Sequence, residues 1–187
     1  DVFSNSLIAG SYSIVANDSY IRQFNHPVTI YTLKSAIVYT ISFLIALIAL
    51  VLWILVIAPL NLLVAVFSLP LTLLIYFIFA WAGTTISAFI GTKYRDYPQL
   101  APLILQTLWY VSPVFFQKEM FETVPLLATW FQLNPITHML QLVRAPFLDG
   151  ILPTLQDYLF CFVFVGVFVL AAYKINKKQA RDIIFYI

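Results

Sequence analysis

Residues 35–92 read SAIVYTISFLIALIALVLWILVIAPLNLLVAVFSLPLTLLIYFIFAWAGTTISAFIGT, 58 positions without a single Asp, Glu, Lys or Arg. A helix crossing a bilayer needs about 20 apolar residues, so this stretch holds two spans and the turn between them. Ala58-Pro59-Leu60-Asn61 is the turn. The span before it runs from about Ser35 to Ile57, with Ser35, Tyr39, Ser42, Ala46, Ala49 and Trp53 on one side at helical spacing. The span after it runs from about Leu63 to Gly91, with Ser68, Thr72, Tyr76, Gly83 and Ser87 along a related stripe. Stripes of small and hydroxyl residues suit close helix packing in lipid. Pro70 is expected to kink the second span near its start.

The rest of the chain fits that frame. Of 187 residues 62% are hydrophobic and 10% charged, against about 25% charged in soluble domains. So few charges cannot cover so much apolar surface in water. The fold class expected is all-α: a polytopic transmembrane helix bundle, one domain over 1–187, with short interfacial or re-entrant helices on the outer side over 118–156.

Upstream, Asp1 to Ala16 reads as the tail of a span. Asn17-Asp18-Ser19 is a helix start whose side chains can accept from open backbone donors, and Pro27 suits the first turn of the next helix. Downstream comes a charged corner, Lys93, Arg95 and Asp96. Tyr97 to Gln117 is then long enough for a third span, interrupted by Pro98, Pro102 and Pro113. At 100° per residue Gln99, Gln106, Tyr110 and Gln117 fall within about 40° of one another. Two readings of this polar line stay open: hydrogen bonding to a neighbouring helix, at about 1 kcal/mol each, or lining a path for a hydroxyl-rich substrate.

Thr123 to Val143 is equally free of charge but contains Pro125, Gln132, Asn134, Pro135, His138 and Gln141, too polar for a span. Asn134-Pro135 forms an N-cap and first-turn pair, followed by an apolar face of Ile136, Met139, Leu140, Val143 and Phe147. The last span covers about Tyr158 to Tyr173 and extends to Lys174 by snorkelling. Eight of the ten Lys and Arg residues then fall on one side, leaving Lys118 and Arg144 on the other. The positive-inside rule makes the first side, and with it the C-terminus, cytoplasmic.

Absent chemistry narrows the function. The glycines, at 10, 83, 91, 150 and 166, build neither a phosphate-binding loop nor a dinucleotide fingerprint. No cofactor, no catalytic residue and no nucleic-acid partner is expected. His26 and His138 fall on opposite sides of the membrane with no Cys or carboxylate at ligand spacing, so no metal is expected. No acidic residue lies within a span as drawn, which removes an intramembrane ion relay. Glu119 and Glu122 read as a solvated turn. The single cysteine, Cys161, allows no intramolecular disulfide.

The segment from Asn17 to Pro27, the corner Tyr94-Arg95-Asp96-Tyr97-Pro98-Gln99, the later Ser112-Pro113-Val114, Asn134-Pro135 with Arg144, and the basic ending Lys177 to Ile187 resemble, in order and spacing, the ABC-2-type permeases that export polysaccharides. The resemblance implies a channel-forming permease subunit in a bacterial inner membrane, carrying lipid-linked O-antigen, capsule or teichoic acid chains. It implies two copies of the permease paired with separate ATPase subunits, surrounded by membrane lipid. It makes 17–27 the cytoplasmic coupling helix, with Asp18, Tyr20, Ile21, Arg22, Phe24 and Pro27 meeting the ATPase. Arg95 and Asp96 are either part of that machinery or an interfacial charge pair. Members have six spans behind an interfacial helix. This sequence starts partway through that pattern, so about 60 to 80 further N-terminal residues are expected, at roughly 20 per span. The alternatives are an ABC-2-type exporter of a drug or lipid, and a membrane-embedded enzyme or structural subunit.

Overall fold

A computed structural model describes residues 2–23, 27, 29–59, 61–111 and 134–179. These residues are helical apart from short connections, with no strand among them. Helix α1 spans Val2–Ser13, and a 3-10 turn, Val15–Asn17, leads into the short α2, Asp18–Gln23. Two long helices follow, α3 over Thr29–Ile57 and α4 over Asn61–Lys93. Then come α5 (Tyr97–Val111), α6 (Pro135–Arg144), a π-helical turn (Ala145–Asp149) and α7 (Leu155–Gln179). Three helices are long and apolar enough to cross a membrane: Thr29–Ile57, Asn61–Lys93 and Leu155–Lys178.

α4 is the axis of the bundle. Its residues Ser68, Thr72, Gly83 and Ser87 are buried and Tyr76 is half-buried, so the small-residue stripe read from the sequence is a packing face. α1 lies against its lower half. A side chain on Gly91 would collide with the Ser11 carbonyl, and one on Gly10 would come 2.7 Å from the Thr84 carbonyl oxygen. With no Cβ in the way, the two backbones close up and hydrogen bonds form across them. Thr84 Oγ1 donates to the Ser6 carbonyl at 3.2 Å, and Ser87 Oγ donates to the Leu7 carbonyl at 2.5 Å. In lipid no water competes for these groups, and each such bond contributes about 0.6–2 kcal/mol.

α3 packs on α4 through a different face from the one expected. Thr32, Ala36, Leu47 and Ile54 are its buried residues, whereas Ser42, Ala46, Ala49 and Trp53 are exposed. Small residues permit close packing without requiring it. Here the bulky Leu47 and Ile54 bury more apolar area against Ala65 and Phe147, and the small stripe turns toward an open cleft.

Residues 134–150 pack into the bundle. Asn134 caps α6, its side-chain oxygen accepting from Ile136 N at 3.0 Å. Tyr76 OH donates to the Met139 carbonyl at 2.9 Å, about 22 Å along α4 from its Asn61 end. From there α6 rises until the Asn61 amide donates to the Phe147 and Leu148 carbonyls at 3.4 and 3.1 Å. Gly150, at φ +67, ends the π turn in the left-handed conformation, and the Asn61 side chain fills the space a Cβ would take. Met139 and Leu142 wedge between Ile75 and Phe79 of α4 and Cys161 and Val165 of α7. α6 thus packs between α4 and α7.

Asp157 corrects one expectation: it lies inside a candidate span. α7 begins at Leu155 rather than Tyr158, because Thr154 and Asp157 cap it reciprocally. Thr154 N donates to Asp157 Oδ2 at 3.1 Å and Asp157 N donates to Thr154 Oγ1 at 3.3 Å, a capping box that draws the carboxylate into the first turn.

Candidate functional site

A cleft of about 430 Å³ opens between α1, α3, α5 and α6, with Tyr76 of α4 at its back. α3 contributes Tyr39, Ser42, Phe43 and Ala46; α1 contributes Val2, Ser4 and Asn5. α5 adds Leu105, Leu108 and Trp109, and α6 adds Ile136, Met139, Leu140 and Val143. Phe43 stacks on Tyr76 with ring centroids 5.0 Å apart, and the Tyr76 hydroxyl is tied to Met139, so two aromatic walls are held rigid. The lining is chiefly apolar and aromatic, with Ser4, Asn5 and Ser42 as polar groups. Such a surface offers flat faces for ring stacking and a few hydroxyl and amide partners. Tyr39, Ser42 and Ala46 belong to the stripe read as packing, so the sequence pattern found these residues and assigned them the wrong neighbour.

The polar line of α5 is turned away from the face that lines this cleft. α5 presents Pro98, Ala101 and Leu105 to the bundle, all buried. Gln99, Gln106 and Tyr110 are exposed on a face turned about 130° from that seam, away from the neighbouring helices among the described residues. Gln117 lies outside the described residues, as do Phe24 and His26. The Tyr97 hydroxyl, 3.0 Å from Ser87 Oγ, fixes the foot of α5 to α4. Arg95 and Asp96 are exposed just before that foot, and the Asp96 carbonyl accepts from Gln99 N and Leu100 N at 3.2 and 3.1 Å.

At the same end lies α2. Ile21 is buried in a cluster with Ile14, Ala88 and Phe89, against Tyr31 and Ile175. A six-residue helix must bury its apolar side chain to stay on the bundle, and Ile21 fills that role within the single chain. Ser19, Tyr20 and Gln23 face outward, Asp18 is half-buried, and Pro27 is exposed beyond the helix. Arg22 belongs to α2.

Sequence reasoning missed one polar pair. His138 Nδ1 lies 2.7 Å from Asp157 Oδ1, and the imidazole stacks on Phe160 at 4.4 Å, nearly parallel. Thr154 Oγ1 donates to the other carboxylate oxygen at 2.5 Å. The pair joins α6 to α7 behind the cleft, with Met139 facing the cleft from the next position. Among the described residues no group of three or more His, Cys, Asp or Glu could hold a metal.

No curated protein matches the chain. The family profile described as ABC-2 type transporter matches residues 2–148, which takes in α1 to α6, the cleft and α2.

Proposed function

Because this chain belongs to the ABC-2 type transporter family, we propose that it is the channel-forming permease subunit of an ATP-driven exporter whose cargo is a lipid-linked polysaccharide. The family makes it a membrane component that works with an ABC ATPase. The lipid-linked glycan, the second copy of the permease, and the placement in a bacterial inner membrane with α2 and the C-terminus cytoplasmic are parts of our reading. The observation that carries the cargo is the cleft: aromatic walls at Tyr39, Phe43, Tyr76 and Trp109 beside Ser4, Asn5 and Ser42. Aromatic faces and hydroxyl partners together suit sugar rings, and the apolar remainder suits a lipid tail. The exposed line of Gln99, Gln106 and Tyr110 supplies further partners for hydroxyl groups along α5.

A drug or lipid exporter is the second reading, favoured by the mainly apolar lining. The two are separated by reconstituting the full-length protein with its ATPase in proteoliposomes. Lipid-linked glycan should stimulate ATP hydrolysis and be sequestered, whereas free phospholipid and apolar drugs should do neither. Stimulation by the drugs alone would replace the first reading with the second.

A further inference from the structure

A second and narrower cleft, about 130 Å³, lies at the other end of the molecule between the start of α3, the middle of α4 and the last turns of α7. Ala82, Val169 and Ala172 are among its lining, with Trp81 beside them and Tyr173 and Asn176 toward the helix end. Trp81 Nε1 is buried and has no acceptor among the described residues. A buried N–H without a partner is costly, so an acceptor entering the cleft would be held there.

The depth fits a lipid ester. α4 runs about 50 Å at 1.5 Å per residue and the hydrocarbon core is about 30 Å thick. Centred on that core, α4 extends about 10 Å beyond each edge, and Trp81, about 18 Å from the Lys93 end, lies about 8 Å inside. Tryptophan is enriched toward the membrane interface, where its ring meets hydrocarbon and its N–H finds polar partners. Farther out, Lys174, Lys177 and Lys178 are exposed and form no ion pair among the described residues. A helix, about 10 Å across, is too wide for a groove of this volume; an acyl chain is not.

We propose that this cleft binds one anionic phospholipid from the leaflet at the basic end. An acyl chain lies on Ala82, Val169 and Ala172, a glycerol-ester carbonyl accepts from the Trp81 indole, and the phosphate lies against the α7 lysines. Only the description of that leaflet as cytoplasmic rests on the function proposed above; the binding does not depend on the cargo.

The test uses the full-length protein with its ATPase, purified in mild detergent, with retained lipid quantified by mass spectrometry. After incubation with equal phosphatidylglycerol and phosphatidylcholine, the wild type should retain severalfold more of the former. Trp81→Phe, which keeps the ring and removes the donor, should retain severalfold less of either. Lys174→Gln with Lys177→Gln and Lys178→Gln should abolish the preference between them. A photocrosslinking side chain at Tyr173, an exposed residue on the rim of the cleft, should mark phospholipid. Equal retention by Trp81→Phe, no headgroup preference in the wild type, or crosslinks only to a protein segment would each overturn the proposal.

Discussion

Gly10 and Gly91 set how near α1 comes to α4, and their replacement tests that approach directly. A methyl at either position meets backbone rather than a movable side chain, so the helices must part and stretch the bonds from Thr84 and Ser87. Gly10→Ala or Gly91→Ala should destabilise by about 1–3 kcal/mol, the usual cost of overpacking, seen as a lower unfolding temperature in detergent. Gly166 meets nothing within 4 Å, and in mid-helix alanine is the better helix former by about 1 kcal/mol. Gly166→Ala should therefore unfold at the same temperature or slightly above. A fall like that of Gly91→Ala would show that the loss at Gly91 does not report the seam. The spacing of these glycines was legible in the sequence, but which backbone each one admits was not, because that depends on the pairing of α1 with α4.

Among the elements, α2 and α6 show where sequence reading stopped. In α2, Tyr20 and Ile21 are adjacent and point about 100° apart, so composition alone cannot say which one faces the bundle. The fold buries Ile21 and leaves Tyr20 57% exposed. Ile21→Asp should therefore lower the yield of folded protein. Tyr20→Ala should insert and unfold normally yet lose the copurifying ATPase, by about 2 kcal/mol for an aromatic anchor. Undiminished copurification of Tyr20→Ala would place the handle elsewhere. In α6, an apolar face serves equally on a membrane surface or inside a bundle, so its packing between α4 and α7 could not be read from periodicity. The His138–Asp157 contact crosses 19 positions and is visible only in three dimensions. His138→Leu and Asp157→Leu should each destabilise, and the double variant less than their sum. The coupling should be about 1–3 kcal/mol in a double-mutant cycle of unfolding free energies; strict additivity would remove the pair as a staple between α6 and α7.

For the whole molecule, hydropathy located the three candidate spans, because an apolar run of such length has few other solutions. It drew their ends less well: α4 reaches Lys93 and α7 starts before Asp157, since capping and pairing carry polar residues into a helix. The polar line of α5 was legible; its surroundings were not. The line of Gln99, Gln106 and Tyr110 stands on one face of α5, while Leu108 lines the cleft on the other side. Gln106→Leu should leave folding unchanged, as its side chain is exposed in the single chain, and should reduce glycan export per folded complex by severalfold. A buried amide between helices would instead show as lost stability, by about 0.6–2 kcal/mol. Cysteines at 106 and 110 should react with small hydrophilic thiol reagents during turnover. Protection at both sites together with full export by Gln106→Leu would make the line a lipid-facing or packing surface.

The seam between α1 and α4 also constrains how the protein is made. Ser11 and Ser13 donate to the Ile8 and Gly10 carbonyls of their own helix at 2.6 and 2.8 Å, so α1 can leave the translocon with these hydroxyls already satisfied. Thr84 and Ser87 instead send their hydrogen bonds to carbonyls of a segment that the ribosome finished earlier. Until α4 has emerged, α1 lacks the surface that fits it, and membrane quality-control proteases could extract it. Once synthesis passes Lys93 the two can close together. Nascent chains arrested on either side of that point should then differ sharply in lifetime, with the seam acting as a checkpoint in biogenesis.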